Sequence, residues 1–184
     1  YEHFTFYQED ICNQKALSDI IQQHNIHTII HLAAWAGVRP SIENPAIYYK
    51  TNITGTFNIL ECCKTHKIKR CLFASSSSVY GNNTKVPFAE TNPVDHPISP
   101  YAATKKAGEL MCYNYHHLYN IEIACLRLFT VYGPRQRPEM AIHKFTKMID
   151  DNQPIPVFNQ GNCLRDYTYI DDIIHGIEQI LIAK

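Results

Sequence analysis

Tyr101 and Lys105 stand four residues apart in the run Tyr101-Ala102-Ala103-Thr104-Lys105. On a helix, positions i and i+4 project from one face, so a phenol and an ammonium at this spacing reach into the same space. An unperturbed tyrosine, with a pKa of about 10, is a poor base at neutral pH. A neighbouring cation stabilises the phenolate, and lowering the value by about three pKa units takes roughly 4 kcal/mol. Tyr101 would then remove a hydroxyl proton as general base and return it as general acid. Alone, the spacing is common in surface helices. Upstream, however, an apolar run ending at Ala74 opens into Ser75-Ser76-Ser77-Ser78 and then Val79-Tyr80-Gly81. Hydroxyls at the carboxyl end of a parallel strand lie where α/β sheets take their ligands. A serine paired with Tyr101 supplies a hydrogen-bond donor and a proton carrier for one substrate hydroxyl.

These groups need a sheet to carry them, and the chain supplies its strands. Residues 28–33, 69–74 and 121–129 are nearly continuous apolar runs, the pattern of parallel strands covered on both faces. Between them the spacing predicts a helix capped by Asn13 and running to about His24, with Leu17, Ile20 and Ile21 inward. Asn44-Pro45 opens a long helix to about His66, and a third runs from near Pro100 to about Tyr119. This alternation predicts an α/β fold with a doubly wound parallel sheet. Phe4-Thr5-Phe6-Tyr7 reads as a further strand, ending at Asp10-Ile11. No G-x-G or G-x-x-G occurs, so the fold is expected to lack its first βαβ unit with its glycine-rich turn. Past Gly133, prolines 134, 138, 154 and 156 punctuate a helix over 139–150, a short strand over 155–158 and a helix over 170–183. The reading is a first segment, 1–133, bearing the catalytic residues, and a second, 134–184, forming the start of a smaller substrate lobe interleaved with it.

Seventeen basic residues balance seventeen acidic ones without a basic run, which argues against a nucleic-acid partner or an anionic membrane surface. The longest apolar runs fall well short of a membrane span. Seven scattered cysteines, without a C-x-x-C pair, read as reduced thiols of a cytoplasmic protein. The ten histidines show no H-x-x-x-H pairing, and no metal site is expected.

Asp10-Ile11, His31-Leu32-Ala33-Ala34, Thr51-Asn52 with Gly55-Thr56, Ser75 to Gly81, Tyr101 with Lys105, and Leu128 to Pro134 together resemble the extended short-chain dehydrogenase/reductases of the NAD-dependent epimerase/dehydratase family. That resemblance implies a Rossmann-type fold. Ala36-Gly37-Val38-Arg39, Phe129-Thr130-Val131-Tyr132-Gly133-Pro134, Arg137-Pro138-Glu139-Met140, Lys144-Phe145-Thr146-Lys147 and Arg165 to Asp172 further resemble the UDP-glucuronate 4-epimerases.

By this likeness Ser76, Tyr101 and Lys105 are catalytic. NAD contacts fall to Asp10 and Ile11 at the adenine edge, to Leu32, Ala33, Ala34 and Thr51, to Ser75, to Tyr101 and Lys105, and to Phe129 beside the nicotinamide. The UDP-sugar falls to Ser77, Ser78 and Thr130, to Arg165 on the diphosphate, and to Arg39 and Arg137 as readers of a sugar carboxylate. Met140, His143, Val157 and Phe158 wall the uracil. The implied reaction is 4-epimerisation of UDP-glucuronate to UDP-galacturonate through a 4-keto sugar, in a homodimer joined by helices near 45–66 and 100–119. Dehydratases of the family carry an Asp-Glu pair directly after the catalytic hydroxyl; here those positions are Ser77 and Ser78. Two alternatives stay open: a UDP-glucose 4-epimerase, and a catalytically incompetent fragment in which no glycine-rich turn holds the pyrophosphate.

Overall fold

Asn13 fixes where the first helix begins: its side-chain oxygen accepts from the Ala16 amide at 3.3 Å, opening α1 (Gln14–His24). The structure, a computed structural model, describes residues 3–183, so the outermost ends of the two expected segments, Tyr1, Glu2 and Lys184, lie outside the described residues. It divides into two units, residues 1–127 and 128–184.

In the first unit, α1 is followed by β1 (Thr28–His31), short helices α2 (Val38–Glu43) and α3 (Pro45–Tyr48), a π-helical stretch (Tyr49–Thr54) and α4 (Gly55–Thr65). Then come β2 (Arg70–Ala74), a 3-10 turn (Ser77–Tyr80), α5 (Pro100–Tyr119) and β3 (Glu122–Leu126). The strands pair in parallel in chain order β1-β2-β3, with Thr28 opposite Arg70 and Arg70 opposite Glu122. Two successive crossovers run in the same direction, and α4 and α5 pack together on one face of the sheet. There Ile21, Ile59, Leu60, Cys63, Cys71, Phe73, Cys112 and Tyr115 form a buried core. Gly108 permits this approach, because a Cβ there would stand 2.3 Å from Phe73 Cζ.

Several sequence expectations change. Of the three expected strands, β2 is buried along most of its length, whereas among the described residues β1 and β3 each pair on one side, and Ile30 is 42% exposed. The 28–33 run leaves the ladder after His31, and the 121–129 run after Leu126. Residues 4–7 have strand propensity but no ladder partner among the described residues, and Phe4 and Phe6 are exposed. Asn44 makes no side-chain cap bond, and the helix it was expected to open changes winding at Tyr49. There Asn52 turns inward to bond residues on two other segments, a local distortion typical of π turns.

In the second unit, β4 (Thr130–Tyr132) pairs in parallel with β5 (Tyr167–Tyr169), and α6 (Ala141–Asp150) and α7 (Ile170–Ile182) complete it. The expected strand over 155–158 is irregular. Pro154 before it and Pro156 within it have no N–H to give a ladder, and β4 finds its ladder partner instead in residues 167–169. Gly133 holds φ +137°, and a Cβ there would meet Ile170 Cγ2 at 2.6 Å, so the turn after β4 requires glycine. No described helix is long and apolar enough to cross a membrane.

Candidate active site

Ser99 sets the phase of α5. Its Oγ accepts from the Ala102 amide at 3.1 Å, and Pro100 occupies the first helical position, so Tyr101 falls in the first turn and Lys105 one turn on. Lys105 is 4% exposed, and its Nζ donates to the Ala74 carbonyl at 2.6 Å, where β2 ends. The ammonium lies 5.1 Å from the Phe73 ring centroid and 6.0 Å from that of Tyr101. Burial pushes the Lys105 pKa down to about 8. A single cation is therefore bonded to the strand exit and set over the ring of the tyrosine whose ionisation it would favour.

Ser76, buried directly past β2, is in extended conformation, and its Oγ accepts from the Ser78 amide at 3.1 Å, capping the turn that carries Ser77 and Ser78. As the acceptor of this bond, the oxygen keeps its own O–H to donate. Tyr101 is half-buried and meets the ring of Tyr48 edge-on at 6.3 Å. Tyr48 is fully buried and donates to the Ala36 carbonyl at 3.0 Å.

Asp10, Ile11, Ala33, Ala34 and Thr51 line one open cleft of about 520 Å³, together with Gln8, Glu9 and Trp35. These five come from three separate segments and are among those the resemblance assigned to NAD. Leu32, assigned with them, is 56% exposed. The Ser75 side chain is turned elsewhere: its buried hydroxyl donates to Glu109 Oε1 at 2.6 Å. Arg39 is exposed on α2.

The other candidates belong to the second unit. Phe129 directly precedes β4, and Thr130 begins it; both are half-buried. Arg137 pairs with Glu139 at 2.9 Å and reaches Met140 Sδ at 3.5 Å. His143 is exposed on α6, and Val157 and Phe158 are 65% and 55% exposed. Arg165 donates to the neighbouring carbonyl of Leu164 at 2.9 Å. No group of three or more His, Cys, Asp or Glu among the described residues is placed to hold a metal ion.

The structure gives roles to residues that the sequence left without one. Asn52 accepts from the Trp35 amide at 2.8 Å and donates to the Trp35 carbonyl and to Thr104 Oγ1, both at 3.0 Å, tying the cleft wall to α5. His31 lies buried at the end of β1, 3.0 Å from Thr56 Oγ1. Burial first, then the charge of Lys105, pushes its pKa down to about 4. Glu109 is bound to Ser75 and to Arg127. One signal for it was available: Glu109 follows Lys105 at the same i+4 spacing that links Lys105 to Tyr101.

The profile of the family described as GDP-mannose 4,6 dehydratase matches residues 1–184. The chain belongs to that family. Among similar proteins, UDP-glucuronate 4-epimerase of Thermodesulfobacterium geofontis (strain OPF15) is 52% identical over 175 residues, 95% of this chain and 54% of its own length. Among solved structures, UDP-glucuronic acid 4-epimerase of Bacillus cereus, in complex with UDP-glucuronic acid and NAD, is 42% identical with a TM-score of 0.90. The match covers 100% of this chain and 57% of that one. UDP-glucose 4-epimerase of Thermotoga maritima, with UDP-glucose, is 32% identical with a TM-score of 0.93 over 99% of this chain and 60% of that one. The chain spans about half the length of the curated relatives it matches.

Proposed function

We propose that the chain carries the acid–base centre of an NAD-dependent UDP-sugar 4-epimerase whose substrate is UDP-glucuronate. The observation that carries this reading is Lys105, buried, bonded to the Ala74 carbonyl and set over the Tyr101 ring. The cleft lined by Asp10, Ile11, Ala33, Ala34 and Thr51 suits NAD: a carboxylate and a hydroxyl are available to ribose, and small apolar residues let a planar group approach. NAD, when bound, accepts a hydride from the sugar and returns it. Tyr101 takes the proton of the 4-hydroxyl and gives it back, with Lys105 holding down the energy of the phenolate. Ser76 donates to the same oxygen and keeps it oriented.

The family description names a dehydratase, but loss of water from the sugar needs an acid and a base beside the catalytic hydroxyl. Ser77 and Ser78 occupy those positions and supply neither. Relatives at about half identity that act on UDP-glucuronate support the acidic sugar, with Arg39 and Arg137 as readers of its carboxylate. Arg165 would take the diphosphate, Thr130 and Ser77–Ser78 the sugar, and Met140, His143, Val157 and Phe158 the uracil. Leu32, Ser75 and Phe129 complete the proposed NAD contacts, Ser75 through its backbone. A homodimer through α4 and α5 fits the outward Phe57, Leu110 and Tyr113, which are 43%, 58% and 71% exposed. Ile59 and Leu60 on α4 belong to the core and are not available to a partner.

The deciding assay compares turnover of UDP-glucuronate with that of UDP-glucose. Faster conversion of the uncharged sugar, as in the UDP-glucose 4-epimerase alternative, overturns the proposed substrate. Titrating NAD into the 184-residue chain tests whether these residues alone hold the cofactor; failure to bind supports the incompetent-fragment alternative.

A further inference from the structure

Lys105 and Glu109, one turn apart on α5, grip two consecutive residues of the β2 exit. Lys105 Nζ holds the Ala74 carbonyl at 2.6 Å, and Glu109 Oε1 accepts from the Ser75 hydroxyl at 2.6 Å. The next residue is Ser76. Arg127, just past β3, closes on the same carboxylate with a two-pronged contact, Nε to Oε1 at 2.9 Å and Nη2 to Oε2 at 3.0 Å. Its remaining nitrogen, Nη1, donates to the Tyr80 hydroxyl at 3.3 Å and to the Glu90 carbonyl at 3.2 Å, and its guanidinium lies 5.1 Å from the Tyr80 ring. Tyr80 ends the 3-10 turn that Ser76 caps. Glu109 thus ties the start of the serine turn directly, and its end through Arg127. Lys106 adds a second cation beside the Glu109 carboxylate at 3.8 Å.

Glu109 is 9% exposed. Burial alone would raise its pKa, but Arg127, Ser75 and Lys106 together hold the carboxyl below the usual value. Such a carboxylate serves the fold, yet stability alone does not call for the Ser75 tie, since Arg127 already compensates the charge. The tie acts on orientation. Without the Ser75 bond, the strand exit is held through Lys105 at Ala74 and the far end of the turn through Arg127 at Tyr80, and Ser76 between them is less constrained. With Ser75 held as well, the direction of the Ser76 side chain relative to α5 is set.

We propose that Glu109 is a positioning residue, which with Arg127 holds the Ser75–Tyr80 turn on α5 so that Ser76 meets the reacting hydroxyl beside Tyr101. The proposal rests on the epimerase reading above. A small displacement of a reacting group costs about 100-fold in rate at the extreme, without any loss of binding.

The test measures UDP-glucuronate epimerisation by the enzyme carrying this chain, unchanged and with Ser75→Ala, Ser75→Thr, Glu109→Gln and Tyr101→Phe. It also follows hydrogen exchange of the Ser78 amide in the same proteins. Ser75→Ala leaves the Glu109–Arg127 pair intact, so a merely structural role predicts unchanged kcat. Positioning predicts a kcat about 10-fold lower, with KM and NAD affinity held within about twofold, since binding groups stay in place. It also predicts recovery in Ser75→Thr, which restores the hydroxyl, an intermediate kcat in Glu109→Gln, and faster Ser78 exchange in Ser75→Ala. If Ser75→Ala and Glu109→Gln keep full kcat while Tyr101→Phe loses it, the positioning role is wrong and the epimerase reading stands. If the unchanged enzyme converts no UDP-hexose, the epimerase reading fails and this catalytic role fails with it. Ser78 exchange unaltered by Ser75→Ala overturns the positioning role in either case.

Discussion

Replacing Lys105 by methionine keeps a long side chain against Phe73 and removes the buried charge, which makes the cost of that charge measurable. Burial lowers the Lys105 pKa from 10.5 to about 8. At 1.36 kcal/mol per pKa unit this amounts to about 3 kcal/mol of disfavour for the cation in the fold. The sign follows from proton counting. Below pH 8 the lysine is protonated in both states, and the fold bears the whole cost. Between pH 8 and 10.5 the folded chain releases the proton while the unfolded chain keeps it, so stability rises with pH across this window. Buried thiols work in the opposite sense, Cys62 being pushed up to about 11, first by its burial and then by the charges of Cys63 and Glu61. They contribute equally to both proteins and cancel in the difference. The assay is denaturant unfolding of the unchanged chain and of Lys105→Met from pH 7 to 10.5. The gap between them should shift by up to about 3 kcal/mol in favour of the unchanged chain as pH rises. Near pH 7 the variant should be close to the unchanged chain, since relief of the charge offsets the bond lost at Ala74, about 1–3 kcal/mol. A gap constant to within about 0.5 kcal/mol across the range would refute the desolvated, charged Lys105 described here.

Tyr101→Phe should lower kcat by roughly 100- to 10,000-fold in an epimerisation assay while leaving UDP-sugar affinity nearly unchanged, because only the proton carrier is lost. Gly108→Ala should destabilise the chain by about 1–3 kcal/mol in thermal or denaturant unfolding, since the added methyl must displace the Phe73 ring. His31, with its pKa pushed down to about 4 first by burial and then by Lys105, stays neutral in the fold. Stability should therefore fall as pH drops from 6.5 towards 4, where only the unfolded chain takes up the proton, and His31→Gln should flatten that fall. Ser99→Ala removes the cap that phases α5 and should cost about 1 kcal/mol, read as a lower unfolding midpoint.

The sequence by itself determined what depends on near neighbours. Ser99-Pro100 starts α5 and the i+4 spacing aligns Tyr101, Lys105 and Glu109, because capping and helical phase are settled within a few residues. The apolar run at 69–74 placed β2, observed at Arg70–Ala74, and the serines after it fell at its carboxyl end. The tertiary structure decided what depends on partners distant in the chain. Residues 4–7 and 155–158 have the composition of strands but make no ladder among the described residues, because a ladder belongs to a pair of segments and propensity belongs to one. Asn52 is held across 17 residues to Trp35 and across 52 to Thr104, and the helix there winds wider than its sequence suggests. The same holds for the chemistry. The Tyr101–Lys105 spacing named a possible acid–base couple, but spacing carries no dielectric. Only the packing of α5 on β2 set Lys105 on the Ala74 carbonyl, excluded water from it, and turned Ser75 to Glu109 instead of to the cleft.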